Sequence, residues 1–282
     1  NNFISFANGG DTSIFTNNET QTISVLDDGT AYNVSIILTQ PTSPNQVCSF
    51  TNTNSGSLNG TDVEVTVECV TTQYDVNINV TGLADTNTVS FANGADTLDM
   101  TANGVMTLST LDDESAFDVS ITAQPVMPDQ ECVFSSANSG NLAGEDLQID
   151  VSCSTDQFTV GVIVSGLAPT NSVVLANNAD EITISSNGAH NFPSLLDDDS
   201  MYSVSVVTQP VTPNQTCEIT GTASGTIDGA DVLGIQVDCV TNSYFIGGNV
   251  TGLLDGNYLV LQNNGTDDKT IMNNGPYVFS TP

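Results

Sequence analysis

Six cysteines constrain this chain more than anything else in it. They stand at Cys48, Cys69, Cys132, Cys153, Cys217 and Cys239, in three pairs separated by 21, 21 and 22 residues. Zinc sites want C-x-x-C pairs or Cys/His knots. Evenly spread pairs in an acidic chain read instead as one disulfide per unit in an oxidising compartment, which predicts a row of similar extracellular units.

The remaining sequence keeps the same beat. Ser5-Phe6-Ala7-Asn8-Gly9 recurs as Ser90-Phe91-Ala92-Asn93-Gly94, and more loosely as Val174-Leu175-Ala176-Asn177-Asn178 and Val260-Leu261-Gln262-Asn263-Asn264. The period is about 85 residues, the mark of a repeat array. Leu26-Asp27-Asp28, Leu111-Asp112-Asp113 and Leu196-Asp197-Asp198 stay in step, as do Gln40-Pro41, Gln124-Pro125 and Gln209-Pro210 shortly before the first cysteine of each pair. The boundaries that follow are 1–72, 73–156 and 157–242 for three repeats and 243–282 for a partial fourth.

Inside a repeat the apolar residues recur every second position, which is the strand period. Tyr74, Val76, Ile78 and Val80 alternate with Asp75, Asn77 and Asn79, and Phe117, Val119 and Ile121 with polar neighbours. Leu147, Ile149 and Val151 place Cys153 on the buried side, as Val63, Val65 and Val67 do for Cys69, so the cysteines are expected in the core. A glycine-bearing turn lies between the members of each pair, at Asn59-Gly60, Ala143-Gly144 and Asp228-Gly229, which predicts a hairpin closed by the disulfide. Such a bridge stabilises by roughly 3 kcal/mol in the chain-entropy model. Turn signals divide each unit into about seven short strands with no helical stretch, and an antiparallel two-sheet sandwich is the economical way to bury one face of each.

At this point the residues carry a resemblance. Val80-Thr81-Gly82-Leu83, Ser165-Gly166-Leu167 and Thr251-Gly252-Leu253, followed by an L-x-N-N stretch, an aromatic-x-Val motif and Gln-Pro before a cysteine, resemble the tandem Ig-like repeats of large bacterial cell-surface and secreted proteins. The resemblance spans the whole chain and implies a scaffold of Ig-like β-sandwiches, an adhesin stalk or extracellular filament, and no particular ligand. The aromatic at Tyr32, Phe117 and Tyr202 is similar to the tyrosine corner of such sandwiches, although Phe117 has no hydroxyl; core packing is the preferred reading for all three.

Charge narrows the partners. One Lys, Lys269, and no Arg face 33 acidic residues, for a formal net charge of -32. A surface without cations repels nucleic acid and anionic headgroups, and self-repulsion favours solubility, extension and a cloud of counter-ions. No apolar run is long enough for a membrane span. Catalysis finds few reagents: His190 is the single imidazole and belongs to one repeat, and a carboxylate-pair glycosidase lacks tryptophan platforms. No enzyme is expected and no cofactor is required.

The acidic pairs Asp27-Asp28, Asp112-Asp113 and Asp197-Asp198 are the candidate cation sites, with calcium as the ligand class, because hard cations take oxygen ligands from such loops. No D-x-D-x-D-G loop is present and neighbouring Asp side chains diverge, so a solvated turn is the competing and preferred reading. Complete repeats hold no lysine, which excludes internal Lys–Asn isopeptide staples. Seven N-x-Ser/Thr sequons occur, among them Asn79 and Asn249, which share a strand position expected to face solvent.

The ends do not match. Repeat 1 has no counterpart of Tyr74 to Val80, whereas the last segment supplies that strand as Tyr244, Ile246 and Val250. A sandwich lacking an edge strand is a template for one from elsewhere. Either preceding residues of a longer array supply it, or subunits complete each other by donor-strand pairing. The first is preferred, because the partial fourth repeat duplicates strands that repeat 1 already owns. The functional expectation is a self-associating structural protein of a filament or stalk; the alternative is an adhesin module whose loops recognise a glycan or protein.

Overall fold

The computed structural model describes residues 3–37 and 40–281. Every regular element among them is a β-strand. Repeat 1 holds β1 (Ile4–Asn8), β2 (Asp11–Phe15), β3 (Ala31–Ile36), β4 (Gln46–Phe50), β5 (Ser55–Ser57) and β6 (Val67–Thr71). Repeat 2 holds β7 (Gln73–Thr81), β8 (Val89–Asn93), β9 (Asp96–Met100), β10 (Gly104–Asp112), β11 (Ala116–Ala123), β12 (Gln130–Phe134), β13 (Ser139–Asn141) and β14 (Leu147–Thr155). Repeat 3 holds β15 (Gln157–Phe158), β16 (Val160–Ser165), β17 (Val173–Asn177), β18 (Asp180–Ile184), β19 (Gly188–Asn191), β20 (Leu196–Asp197), β21 (Met201–Thr208), β22 (Gln215–Thr220), β23 (Ser224–Thr226) and β24 (Val232–Thr241). The last segment holds β25 (Gly247–Val250), β26 (Leu259–Asn263), β27 (Asp267–Ile271) and β28 (Gly275–Val278). Residues 1–156 and 157–282 form two compact units.

Repeat 2 is the complete pattern. One sheet runs β10-β7-β14-β12 and the other β13-β11-β8-β9. The alternation read from the sequence turns Val76, Ile78 and Val80 of β7, Phe91 of β8, Val119 of β11 and Ile149 and Val151 of β14 into one shared core, each almost wholly removed from water. Burying a Val, Ile or Phe side chain stabilises by about 1.5–3 kcal/mol, so this layer carries the cohesion that a cation-poor chain cannot draw from ion pairs. Repeat 3 repeats the arrangement, with sheets β19-β16-β24-β22 and β18-β17-β21-β23.

Three expectations need correction. The sheets are mixed rather than antiparallel throughout: β7 runs parallel to β14, from Val76 opposite Leu147 to Thr81 opposite Ser152, and β16 runs parallel to β24. An apolar period of two is the same in either direction, so alternation never carried this information. The cysteine strands are antiparallel neighbours, with Cys132 opposite Cys153, yet they do not form a hairpin. The chain between them crosses to the other sheet and pairs as β13 with β11, and the glycine turn follows that short strand. The complete repeat thus has eight strands, one more than its turn signals suggest.

The third correction concerns the strand that repeat 1 lacks. Its counterpart β7 is not at an edge; it lies between β10 and β14, in the middle of the sheet. Without it the first repeat keeps one full sheet, β2-β1-β3-β5, and a two-stranded remnant, β4-β6. Residues 19–27, which match β10, take no strand, and β6 has five residues where β14 has nine.

Candidate functional site: the open sheet of the first repeat

The recurring motifs all have structural partners. Asn8, Asn93 and Asn177 use their side-chain oxygens to accept the backbone N–H of Asn33, Asp118 and Ser203, which ties the first hairpin to the strand beside it. The next residue takes a left-handed backbone, φ 62° at Gly9, 60° at Gly94 and 54° at Asn178, so the change from Gly to Asn in repeat 3 uses the other residue that tolerates this conformation. The glutamine of each Gln-Pro brackets the first cysteine: Gln124 Oε1 accepts the Cys132 N–H at 2.8 Å while its Nε2 donates to the Cys132 carbonyl at 3.0 Å. Gln40 and Gln209 do the same for Cys48 and Cys217.

In the Thr/Ser-Gly-Leu motif the glycine lies on the second cysteine. Gly82 and Gly166 have φ 77° and 69°, and a Cβ on either would overlap the carbonyl oxygen of Cys153 or Cys239. The following leucine is held by a side-chain amide two ways, Leu83 by Asn103 and Leu167 by Asn187. Above the glycine lies a buried glutamine that sequence reasoning passed over. Gln130 Nε2 donates to the Gly82 carbonyl at 2.9 Å and to Thr155 Oγ1 at 3.2 Å, while Oε1 accepts from the Ala84 N–H and from Asn87 Nδ2, both at 2.9 Å. Gln215 makes the same four bonds, to Gly166, Thr241, Ala168 and Asn171. The signal was present in the sequence, because a Gln stands two residues before each first cysteine, at Gln46, Gln130 and Gln215.

In repeat 1 this apparatus is half empty. Gln46 makes the threonine bond, to Thr71 Oγ1 at 3.3 Å, but no described residue of repeat 1 supplies the glycine carbonyl or the alanine N–H. Cys153 and Cys239 are each 6% exposed, as expected for core cysteines; Cys69 is exposed, because no described strand lies beside β6 as β7 lies beside β14. Its bridge to Cys48 is formed, like Cys132–Cys153 and Cys217–Cys239. Among the described residues the buried cluster of repeat 1 has four members, Ile4, Phe6, Val34 and Cys48, against fifteen in each complete repeat. Val25 is 91% exposed and Val63 44%. Both border the gap.

The acidic pairs serve the fold. Asp28, Asp113 and Asp198 each present Oδ1 to the backbone N–H of the turn glycine, Gly60, Gly144 and Gly229, at 2.7–2.8 Å. Gln73 donates to Asp112 and Gln157 to Asp197. Asp27 lends its carbonyl to the Thr30 N–H. No group of three or more His, Cys, Asp or Glu among the described residues is placed to hold a metal ion. Asp113 does more than its counterpart Asp28: its Oδ2 accepts the Asn45 N–H of repeat 1 at 2.7 Å, and it is 6% exposed. Beside it, Ser43 donates to Glu114 and Asn45 Nδ2 to Tyr74 Oη. Repeat 1 therefore meets repeat 2 through the loop before its first cysteine.

The aromatic triad covers glycines: Tyr32, Phe117 and Tyr202 lie opposite Gly56, Gly140 and Gly225, and a Cβ there would press on each ring. His190 lies on β19 opposite Val162, and its Nε2 bonds the Ser186 carbonyl at 2.9 Å. Asn79, expected at a solvent face, is half-buried and donates to Asp150 at 2.8 Å, because β7 has neighbours on both sides. Hydrogen bonds from Asn79 and then Gln148 hold the Asp150 carboxyl below the usual carboxylate range, and those from Ser165 and Thr220 do so for Asp238. The Thr281 backbone and the Ser280 hydroxyl act likewise on Asp267. Lowered values make these groups hydrogen-bond acceptors, not general acids. No described helix is long and apolar enough to cross a membrane.

Fold and site together define an all-β chain of repeated, disulfide-stapled sandwiches. No protein-family model matches the sequence, and no curated protein matches it. Among solved structures the chain is similar to the Bacillus anthracis TIE protein, with 11% identity and a TM-score of 0.48 over 84% of this chain and 47% of that one. It is also similar to the pilus adhesin SpaC from Lactobacillus rhamnosus GG, with 11% identity and a TM-score of 0.29 over 84% of this chain and 40% of that one. The chain spans less than half the length of either.

Proposed function

We propose that this chain is a non-catalytic structural protein of the cell exterior, a string of Ig-like sandwiches in a filament or the stalk of a surface adhesin, joined to its neighbour by strand addition at the open sheet of repeat 1. One observation carries the reading: each motif that recurs along the chain is consumed in holding a sandwich or a junction. The asparagines tie hairpins, the glutamines clasp cysteine strands, the glycines let strands close on a carbonyl, and the acidic pairs close turns. Residues repeated for binding or catalysis would instead converge on a cleft with their polar atoms free.

Three disulfides fit an oxidising compartment, and they hold the units where ion pairs cannot. The charge of -32 favours an extended string over a collapsed one and turns away nucleic acid and anionic lipid. Among the described residues β6 pairs with β4 alone, and such an edge suits a joint. At the turns the carboxylates of Asp28, Asp113 and Asp198 each accept a glycine N–H, which supports a structural role for them.

Electron microscopy of the concentrated full chain tests the proposal. Elongated strings with a regular succession of small globules are expected. Compact single particles at every concentration would contradict a structural filament or stalk.

A further inference from the structure

We propose that the hydrogen bonds closing the recurring turns also protect the backbone from succinimide formation, with the carboxylates of Asp28 and Asp198 guarding Asn59-Gly60 and Asp228-Gly229. This goes beyond the scaffold reading above and holds whether or not the chain assembles.

The hazard is written in the sequence. A backbone nitrogen that follows Asn or Asp can attack the side-chain Cγ, most readily when it belongs to glycine, which has no Cβ to hinder ring closure. A C–N bond forms, and the backbone N–H proton departs with the leaving group, as ammonia from Asn or water from Asp. Water then opens the cyclic imide at either carbonyl to give aspartate or isoaspartate. No other reagent is consumed. Isoaspartate carries an extra methylene in the main chain, which disturbs the register of the strands around it. The three repeats hold seven such pairs: Asn8-Gly9, Asp28-Gly29, Asn59-Gly60, Asn93-Gly94, Asn103-Gly104, Asn187-Gly188 and Asp228-Gly229.

Each pair is held, in one of two ways. Four asparagines have the electrophile tied. Asn103 Oδ1 accepts the Leu83 N–H and its Nδ2 donates to the Leu83 carbonyl, both at 2.8 Å, and Asn187 does the same with Leu167. Asn8 and Asn93 accept the N–H of Asn33 and Asp118, and donate to the hydroxyls of Ser24 and Ser109 at 3.1 Å. An amide bonded at both ends cannot turn its Cγ toward the next nitrogen without breaking two hydrogen bonds. The other three pairs have the nucleophile tied. Gly29 N–H donates to the Leu58 carbonyl at 3.0 Å, Gly60 N–H to Asp28 Oδ1 at 2.7 Å and Gly229 N–H to Asp198 Oδ1 at 2.8 Å. A nitrogen whose proton is engaged by a carboxylate must give up a charge-assisted bond before it can attack. Asp28 is itself followed by glycine, so the two hazardous pairs of repeat 1 that face each other across this turn hold one another. In repeat 2 the same turn reads Ala143-Gly144, which has no side-chain carbonyl to attack, and there the second oxygen of Asp113 goes to Asn45.

Ageing of the full chain in warm, mildly alkaline buffer tests this, with the disulfides intact and the chain either folded or held unfolded in urea. Chymotryptic digestion, mass mapping and isoaspartate detection then read each site separately. Conversion at Asn8, Asn59, Asn93, Asn103 and Asn187 should be slower in the folded chain by about tenfold or more, as expected when a single hydrogen bond to a charged group, or two neutral ones, must break first. Asp28→Ala should speed conversion at Asn59 by a similar factor while Asn8, in the same repeat, stays slow. Asp198→Ala should likewise speed isomerisation at Asp228 and leave Asn187 unchanged. Equal rates in the folded and unfolded chain overturn the protection. An Asn59 that stays slow in Asp28→Ala overturns the guarding role of that carboxylate. Conversion of Asn8 in step with Asn59 in that variant places the protection in the fold of the repeat as a whole, and overturns the assignment to Asp28.

Discussion

The carboxylate of Asp113 accepts the backbone N–H of Asn45 at 2.7 Å, and so links two repeats with the same side chain that closes a turn on Gly144 within its own repeat at 2.8 Å. Each oxygen has one N–H, and the group is almost wholly buried. A carboxylate bonded this way is a charge-assisted acceptor on both sides, stronger than a neutral one.

Asp113→Asn should therefore weaken both contacts, since an amide offers one oxygen where two are used and turns a donor toward an N–H. A loss of about 2–3 kcal/mol is expected for the first two repeats, from the cost of disturbing buried hydrogen bonds to a charged group. Asp28→Asn, at an exposed position with the glycine bond alone, should cost about 1 kcal/mol or less. Urea titration of the two variants, with exchange of the Asn45 amide followed by NMR, checks the difference.

Gly82→Ala and Gly166→Ala should be among the most damaging single changes in the chain. Alanine in the left-handed region costs about 1–2 kcal/mol, and the overlap with the Cys153 or Cys239 carbonyl adds to it, for a total of about 4 kcal/mol or more. Gly252→Ala, with open space around it, should show only the first part. Thermal melts of the three variants separate the backbone cost from the overlap.

The bridges should differ in access. Cys69 is exposed where Cys153 and Cys239 are buried, so Cys48–Cys69 should be reduced first under native conditions. Timed treatment with a mild thiol, followed by alkylation and peptide mass mapping, should label Cys48 and Cys69 before the other four. Simultaneous labelling would mean that the gap does not expose the bridge.

Acid and salt should act through different groups. Because Asn79 and Gln148 lower the Asp150 carboxyl, its contribution is fully present above the unfolded value near 3.8 and is lost as pH falls through the lower folded value. Asp150→Asn should thus be less stable than the wild type at pH 7, and the gap should close as pH falls through the lowered carboxyl value. Across the same chain a net charge of -32 repels itself, so raising sodium chloride at pH 7 should raise the melting temperature, the reverse of the behaviour of proteins held by surface ion pairs.

Much of this architecture could be read from spacing. The period found the repeats, the alternation of Tyr74 to Val80 found the first strand, and the cysteine phase put Cys153 in the core. What escaped was direction and depth. Alternation is indifferent to whether β7 runs with or against β14, so nothing in Val76, Ile78 and Val80 announced a parallel, central strand. The acidic pairs were visible as a recurrence, but their chemistry depends on glycines some 31 residues away, at Gly60, Gly144 and Gly229. Gln130 looked like any polar residue before a strand; only its four partners, gathered from separate parts of the repeat, show why a buried amide stands there. The absent counterpart of β7 was legible as a gap in the period, whereas the consequence, an exposed Cys69 and a Gln46 side chain bonded to Thr71, required the neighbouring sheet.

Native-state hydrogen exchange tests the central claim most directly. In the chain held as a monomer, the amides of Val67–Thr71 in β6 should exchange at least a hundredfold faster than those of Val151–Thr155 in β14 and Val237–Thr241 in β24, because β6 alone has no first strand beside it. Equal protection of all three segments would mean that repeat 1 is a closed sandwich, and the account of an open sheet awaiting a strand would be wrong.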